Sequence, residues 1–230
     1  MRIGTILHKV GEKGETPFLD KVEALALSDV NIILGPENSM TCGEGMSALS
    51  QVTQVYDRMK GISAEIPEVL FAPGTISCHY LNEGMINVAP VFLGGELYRV
   101  FLKKKNRGDS ERAALTGDRF LGRSCSILRD LGETEDFVDF RGRRIAVSIC
   151  GDQGVNRVAG ADVELVPSYD NRAGFYQHLL DTNWKRHIVV CDGLQPTVRT
   201  LRYDPNVDPN VEDVFPDVED KNFKIFDINV

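Results

Sequence analysis

The chain lacks most features that mark secreted or membrane proteins. Its 230 residues include five cysteines, which stand singly and never in CxxC spacing, so neither a disulfide framework nor a structural zinc site is expected. No apolar run is long enough to cross a bilayer. The N-terminal run at residues 3–7 is too short for the apolar region of a signal peptide. We therefore expect a cytoplasmic protein with no membrane partner.

Positive charge is also scarce. The chain has 26 lysines and arginines against 34 acids, a net charge of −8, and no basic stripe interleaved with aromatic residues, so a nucleic-acid partner is not expected. The hydrophobic share of 42% is that of an ordinary globular protein and is enough for a sizeable core. The sequence shows no linker, and we expect one domain over residues 1–230.

Short apolar runs alternate with helical spacing, which is typical of an α/β protein. The predicted helices are residues 17–28, 46–62 and 172–186. The predicted strands are residues 2–7, 29–34, 68–72, 86–93, 97–102, 145–149, 163–166, 187–191, 196–202 and 223–228. Residues 204–220 carry seven acids and no lysine or arginine, which predicts an exposed loop.

Three reactive side chains follow predicted strands: Glu37, Lys103 and Cys150. Strand ends in α/β proteins converge on one crevice. A carboxylate, an ammonium group and a thiol that meet there provide a base, an oxyanion partner and a nucleophile. Each also has a plainer interpretation. Glu37 can be a solvated acid, Lys103 part of a solvated lysine triplet, and Cys150 an inert buried thiol.

Four segments resemble the nitrilase, or carbon–nitrogen hydrolase, superfamily. The first, VNIILGPENS, has a Pro-Glu pair after a strand, and the second, MINVAPVFLGGELYRVFLK, has an Asn-bearing strand, a Gly turn and a lysine. The third, GRRIAVSICGD, has a strand that ends at a cysteine. The fourth, VELVPSYDNRAGFYQHLLDTNWKRHIVV, has a Pro-Ser segment, a helix and a strand. The resemblance runs from residue 2 to about residue 202, and Phe223 to Val230 is similar to the family's closing strand.

The resemblance implies a four-layer α-β-β-α sandwich of the α/β class that assembles into a homodimer or a larger homo-oligomer. It implies that Glu37 is the general base, Lys103 the oxyanion partner and Cys150 the nucleophile of a hydrolase for non-peptide C–N bonds. The Gly151 N–H would assist Lys103 at the oxyanion. No metal or organic cofactor is implied.

Two further residues are candidates for substrate binding. Glu111 lies eight residues beyond Lys103, where the family often has a second glutamate, and it would hold the lysine or order the substrate; a helix N-terminal acid is the alternative. Tyr169 follows the Pro-Ser segment and can line the pocket or form a turn. Asp152 resembles the amidase form of the cysteine motif, which favours an amide substrate over a nitrile.

Two departures keep other functions open. Gly151 replaces the aromatic residue that usually follows the cysteine, and the segment after Asp152 is shorter than usual. A non-catalytic relative that binds a metabolite or a protein partner is therefore an alternative. A Cys–His hydrolase that pairs Cys150 with His178 or His187 is another.

Overall fold

A computed structural model describes residues 1–8, 16–37, 39–40, 49–80, 84–102, 137–149, 161–168, 186–192, 198–203 and 212–230. Within these ranges the chain forms two helices and two β-sheets. The helices are α1 (Thr16–Ala26) and α2 (Leu49–Glu65). Neither described helix combines the length and the apolar composition of a membrane-spanning segment.

The first sheet contains the N-terminal strands and the end of the chain. Its strands are β1 (Arg2–Ile6), β2 (Ile32–Leu34), β3 (Leu70–Ala72), β4 (Ile76–Tyr80), β5 (Gly84–Leu93), β6 (Glu96–Leu102), β13 (Val218–Glu219) and β14 (Phe223–Asp227). They are ordered β13-β14-β1-β2-β3-β5-β4, and β6 also pairs with β5. The strands β1, β2 and β3 run parallel to one another.

The second sheet contains the strand that leads to Cys150. Its strands are β7 (Val138–Phe140), β8 (Arg143–Val147), β9 (Val163–Ser168), β10 (Arg186–Asp192), β11 (Val198–Tyr203) and β12 (Glu212–Val214). They are ordered β12-β11-β10-β9-β8-β7, with β8, β9 and β10 parallel.

The two sheets pack face to face through an apolar cluster. Side chains from β2 and β3, such as Leu34 and Leu70, pack with side chains from β8, β9 and β10, such as Val147, Leu165 and Val189. Two hydrogen bonds show that the carboxyl ends of the parallel strands meet at one edge. The Glu37 N–H, after β2, donates to the Ser168 carbonyl, and the Cys191 thiol donates to the Ile6 carbonyl.

Both described helices cover the outer face of the first sheet. Their apolar positions, spaced three or four residues apart, pack on Ile33 and Phe71 and bury a second apolar cluster. Gly4 lets α1 come close, since a Cβ there would overlap the Leu25 side chain. These observations confirm an α/β sandwich. The second outer helix layer, predicted over residues 172–186, falls outside the described residues, apart from Arg186, which begins β10.

Most predicted strands are confirmed, but β4 and β7 lie where no strand was predicted, and β12 and β13 lie in the segment predicted as a loop. The β7–β8 connection is a two-residue turn in which Arg141 and Gly142 have positive φ of 51° and 73°. Arginine is an unusual residue at such a position, so the hairpin has no sequence signal on its first turn residue. The Gly94-Gly95 hairpin was predicted because both turn residues are glycine.

The prediction of an exposed loop over residues 204–220 is wrong in part. Residues 204–211 lie outside the described residues, but β12 pairs with β11 at the edge of the second sheet, and β13 pairs with β14 at the edge of the first. The acidic segment therefore passes from one sheet to the other. Edge strands need pairing more than apolar burial, and acidic side chains discourage edge-to-edge association. The acidic composition of this segment therefore gave no indication of β12 and β13.

Candidate functional site

Glu37 is the one predicted catalytic residue that lies within the described ranges, and it is buried. It follows β2 at the carboxyl edge, and its side chain is only 2% exposed. Its backbone N–H donates to the Ser168 carbonyl of β9 at 3.3 Å. The alternative interpretation of Glu37 as a solvated acid is therefore wrong, since its side chain is withdrawn from water.

A close backbone contact fixes the segment that carries Glu37. The Gly35–Glu37 segment after β2 packs against the Pro73–Thr75 segment after β3. A Cβ on Gly35 would overlap the Pro73 carbonyl, and a Cβ on Gly74 would overlap the Pro36 carbonyl. Gly74 also has a φ of 108°, which strongly favours glycine. These two glycines allow the strand ends to touch and so restrict the position of Glu37.

Asn87 binds the Glu37 side chain directly. Its Nδ2 donates to Glu37 Oε1 at 2.8 Å, and both side chains are buried. Asn87 lies on β5, two residues before Ala89, which packs between the sheets. The sequence placed this asparagine in a family-like strand without giving it a role. The available signal was an amide within an apolar strand, where a polar side chain needs a partner.

Further polar side chains are buried at the same edge. Ser168 ends β9, and Asp192 ends β10 and pairs with Ser168 in register. Each is 3% exposed. Polar side chains are also buried elsewhere, such as Glu164 near the start of β9 and Ser63 in α2, so burial of a polar group by itself does not mark this edge. Within the described residues, no three His, Cys, Asp or Glu side chains are arranged to hold a metal ion.

The other predicted site residues lie outside the described residues. These are Lys103, Glu111, Cys150, Gly151 and Tyr169.

Three of them directly follow described residues at this edge. Lys103 follows Leu102, which pairs with Val88, the neighbour of Asn87. Cys150 follows Ile149, a buried member of the inter-sheet cluster. Tyr169 follows Ser168, whose carbonyl accepts the Glu37 N–H.

His187 lies at the opposite edge. It pairs with Val163 at the start of β9, and its Nε2 lies 3.1 Å from the carbonyl of Asn229 near the end of the chain. The run from Val163 to Ser168 corresponds to roughly 16 Å of extended strand. Cys150 follows the carboxyl end of β8, which is parallel to β9, whereas His187 pairs with the amino end of β9. The interpretation that pairs His187 with Cys150 is therefore disfavoured. His178 lies outside the described residues.

Comparison with known proteins gives structural matches only. No protein-family model and no curated protein matches the chain. The NitN amidase from Nesterenkonia sp. AN1 matches with a TM-score of 0.68 and 14% identity over 100% of this chain and 93% of that chain. A mutant of the Nesterenkonia AN1 amidase, described as from the nitrilase superfamily, matches with a TM-score of 0.66 and 15% identity over 99% and 90% of the two chains.

A larger protein contains the same fold as a part. A glutamine-dependent NAD(+) synthetase from Cytophaga hutchinsonii matches with a TM-score of 0.65 and 14% identity over 98% of this chain but 42% of that one. At these identities the matches establish the fold. The chain has the fold of the nitrilase superfamily, as the four resembling segments predicted.

Proposed function

We propose that the chain hydrolyses the C–N bond of a small amide through a thioester on Cys150. Glu37 is the general base, Lys103 stabilises the oxyanion and Cys150 is the nucleophile. The observation that carries the proposal is the buried Glu37 carboxylate, bound by Asn87 at the edge where the parallel strands end. Burying an ionisable carboxylate is costly, and such residues concentrate at functional sites.

The chain connectivity supports a meeting of the three groups. Consecutive Cα atoms are about 3.8 Å apart. The chain therefore brings Cys150 next to Ile149 and Lys103 next to Leu102. Leu102 pairs beside Asn87, which binds Glu37. Ile149 lies two residues beyond the end of β8, which pairs with β9, and the Ser168 carbonyl at the end of β9 accepts the Glu37 N–H.

The proposed reaction proceeds in two steps. Glu37 takes the thiol proton, the thiolate attacks the amide carbon, and the oxyanion is stabilised by Lys103 and the Gly151 N–H. The C–N bond breaks, and Glu37 returns the proton to the leaving amine. Water then loses a proton to Glu37 and attacks the thioester, which releases the acid and restores the thiol. Glu111 and Tyr169 are assigned to orient the lysine and the substrate.

The structural neighbours support small amides as the first substrates to test. A mutant of the Nesterenkonia amidase was obtained in complex with butyramide. Another mutant carries the acetamide moiety of fluoroacetamide on its active-site cysteine. We extend this chemistry to the present chain as part of the proposal, with an amide preferred over a nitrile because Asp152 follows the amidase form of the motif.

The organisation of the protein is proposed on the sequence. We expect residues 1–230 to unfold as one domain, and we propose that the protein works in the cytoplasm as a homodimer or larger homo-oligomer. Light scattering after size-exclusion chromatography tests the assembly, and a monomer at micromolar concentration would contradict it.

Ammonia release from short aliphatic amides and the matching nitriles tests the function. We expect turnover of at least one amide by the wild-type chain and none by Cys150→Ala at equal folded concentration. Turnover that survives in Cys150→Ala would contradict the thioester mechanism. Absence of turnover and of an acyl adduct across the panel would contradict hydrolysis and favour the non-catalytic alternative.

A further inference from the structure

We infer that Asn87 is a positioning residue for the proposed base: its amide holds the Glu37 carboxylate in place and favours the ionised form. The inference rests on the proposed function and assigns a residue to it. Asn87 stands on β5, well separated in sequence from the strand that leads to Glu37, so the bond ties the base to a second element of the first sheet.

The chemistry of the two side chains fixes the orientation of the amide. An ionised carboxylate only accepts hydrogen bonds, so the Asn87 NH2 group must face Glu37 and the Oδ1 atom must point elsewhere. The 2.8 Å distance is that of a charge-assisted hydrogen bond. Such a bond stabilises the carboxylate relative to the carboxylic acid. Asn87 thus opposes the effect of burial, which by itself favours the neutral acid that cannot accept a proton from a thiol.

A purely structural role explains Asn87 less well. The side chain is 6% exposed, and within the described part of the chain its Oδ1 has no hydrogen-bond partner. A buried acceptor without a donor costs about 1–3 kcal/mol. An apolar side chain between the sheets would avoid that cost, as neighbouring Ala89 does. What the amide provides in return is the bond to Glu37.

Two variants separate positioning from folding. Asn87→Leu keeps a similar volume and removes the donor. Asn87→Asp keeps the shape and replaces the donor with a second carboxylate beside Glu37. The matched control is Asn31→Leu, because Asn31 Oδ1 accepts the Arg2 N–H at 2.8 Å near the opposite end of β2. The control removes a side-chain hydrogen bond from the same sheet without touching Glu37.

The pH dependence of kcat/KM for an amide substrate is the deciding readout. We expect kcat/KM to fall about 10- to 100-fold in both Asn87 variants. We expect the acidic limb of the profile to move to higher pH, further in Asn87→Asp, because the carboxylate loses a donor and then gains a like charge. Asn31→Leu should keep the wild-type profile. Asn87 variants that only lower the melting temperature and keep the wild-type profile would overturn the inference.

A second measurement separates this inference from the proposed function. If wild type neither turns over amides nor forms an adduct, hydrolysis is contradicted, and the Asn87 contact is then read from the titration of Glu37. Carbon-13 NMR of labelled glutamate follows that carboxyl, assigned by its loss in Glu37→Gln. A higher titration midpoint in Asn87→Leu than in wild type supports the inference, and equal midpoints overturn it.

Discussion

Two buried side chains lie between the same pair of sheets but have opposite surroundings. Glu37 is at the carboxyl edge and receives a hydrogen bond from a side-chain amide. Cys191 is in the apolar cluster, and its thiol donates to the Ile6 carbonyl at 3.1 Å. Burial and the nearby Asp192 charge raise the pKa of the Cys191 thiol far above its usual range, against the smaller effect of the hydrogen bond. Both residues lie near the carboxyl ends of the parallel strands, so their surroundings, and not their position along the strands, separate a carboxylate that accepts from an amide from a thiol that stays protonated.

The largest expected effect is on the chemistry of Glu37. Glu37→Gln keeps the size of the side chain and an oxygen that can accept from Asn87, but it cannot take a proton. We expect kcat for an amide to fall about 10²- to 10⁴-fold with little change in melting temperature. Steady-state kinetics and thermal unfolding of the same preparation measure both.

Cys191→Ala is the matched control, since it changes a buried side chain between the same sheets. Its kcat should stay within about fivefold of wild type, because the thiol takes no part in the proposed reaction. If Cys191→Ala lost activity as severely as Glu37→Gln while remaining folded, the distinction between the two positions would fail.

The next effect is on the backbone contact that fixes Glu37. Gly74→Ala forces a side chain into a positive φ and into the Pro36 carbonyl. We expect the free energy of unfolding to fall by about 2–4 kcal/mol, measured by urea unfolding. Gly61→Ala, in α2 with open space around it, should instead gain about 0.5–1 kcal/mol. Equal effects of the two variants would show that the strand-end contact is not restrictive.

A smaller expected effect is the pH dependence of the stability that Cys191 contributes. Its thiol keeps its proton in the folded state, whereas the unfolded thiol ionises above about pH 8.5. Below that pH the Cys191 thiol is protonated in both the folded and the unfolded state, and its full contribution to the free energy of unfolding is present. Above it the unfolded state is favoured by up to about 1.4 kcal/mol per pH unit.

Cys191→Ala should therefore be less stable than wild type by about 1–2 kcal/mol at pH 7, and the difference should narrow between pH 8 and pH 10. Urea unfolding at these pH values measures the difference. A constant difference would show that the thiol ionises as readily in the folded protein as in the unfolded chain.

The smallest effects belong to exposed apolar side chains. Leu27 is 88% exposed after α1, and Phe215 is 82% exposed between β12 and β13. Leu27→Lys and Phe215→Ser should each change the free energy of unfolding by less than about 0.5 kcal/mol. A larger loss in thermal unfolding would show that either side chain packs against another part of the protein.

The strands were predictable where local pattern and burial agree. Residues 187–191 and 223–228 have clear apolar patterns and form β10 and β14. The strands β7 and β12 were not predicted, because one begins a hairpin whose turn carries Arg141 and the other is an acidic edge strand. Their formation depends on pairing with another strand or on an unusual turn. Neither can be predicted from local composition.

The site was predictable in its sequence positions more than in its contacts. Glu37 was identified because it follows an apolar strand, but nothing local revealed that Asn87, 50 residues away, would bind it. The contact of Gly35 with Pro73 likewise joins two separate strand ends. The roles of Lys103 and Cys150 remain predictions from motif order and from the residues that precede them.

The most direct test of the account maps where a small amide reagent reacts in the wild-type protein and in the variant Glu37→Gln. After incubation with fluoroacetamide, peptide mass spectrometry locates the modified cysteine. The account predicts that the label is found on Cys150 in the wild-type protein, that it forms more slowly in Glu37→Gln because the base no longer takes the thiol proton, and that Cys191 stays unmodified in the folded protein. Modification of Cys191, or an unmodified Cys150 under conditions that label the other cysteines, would contradict it.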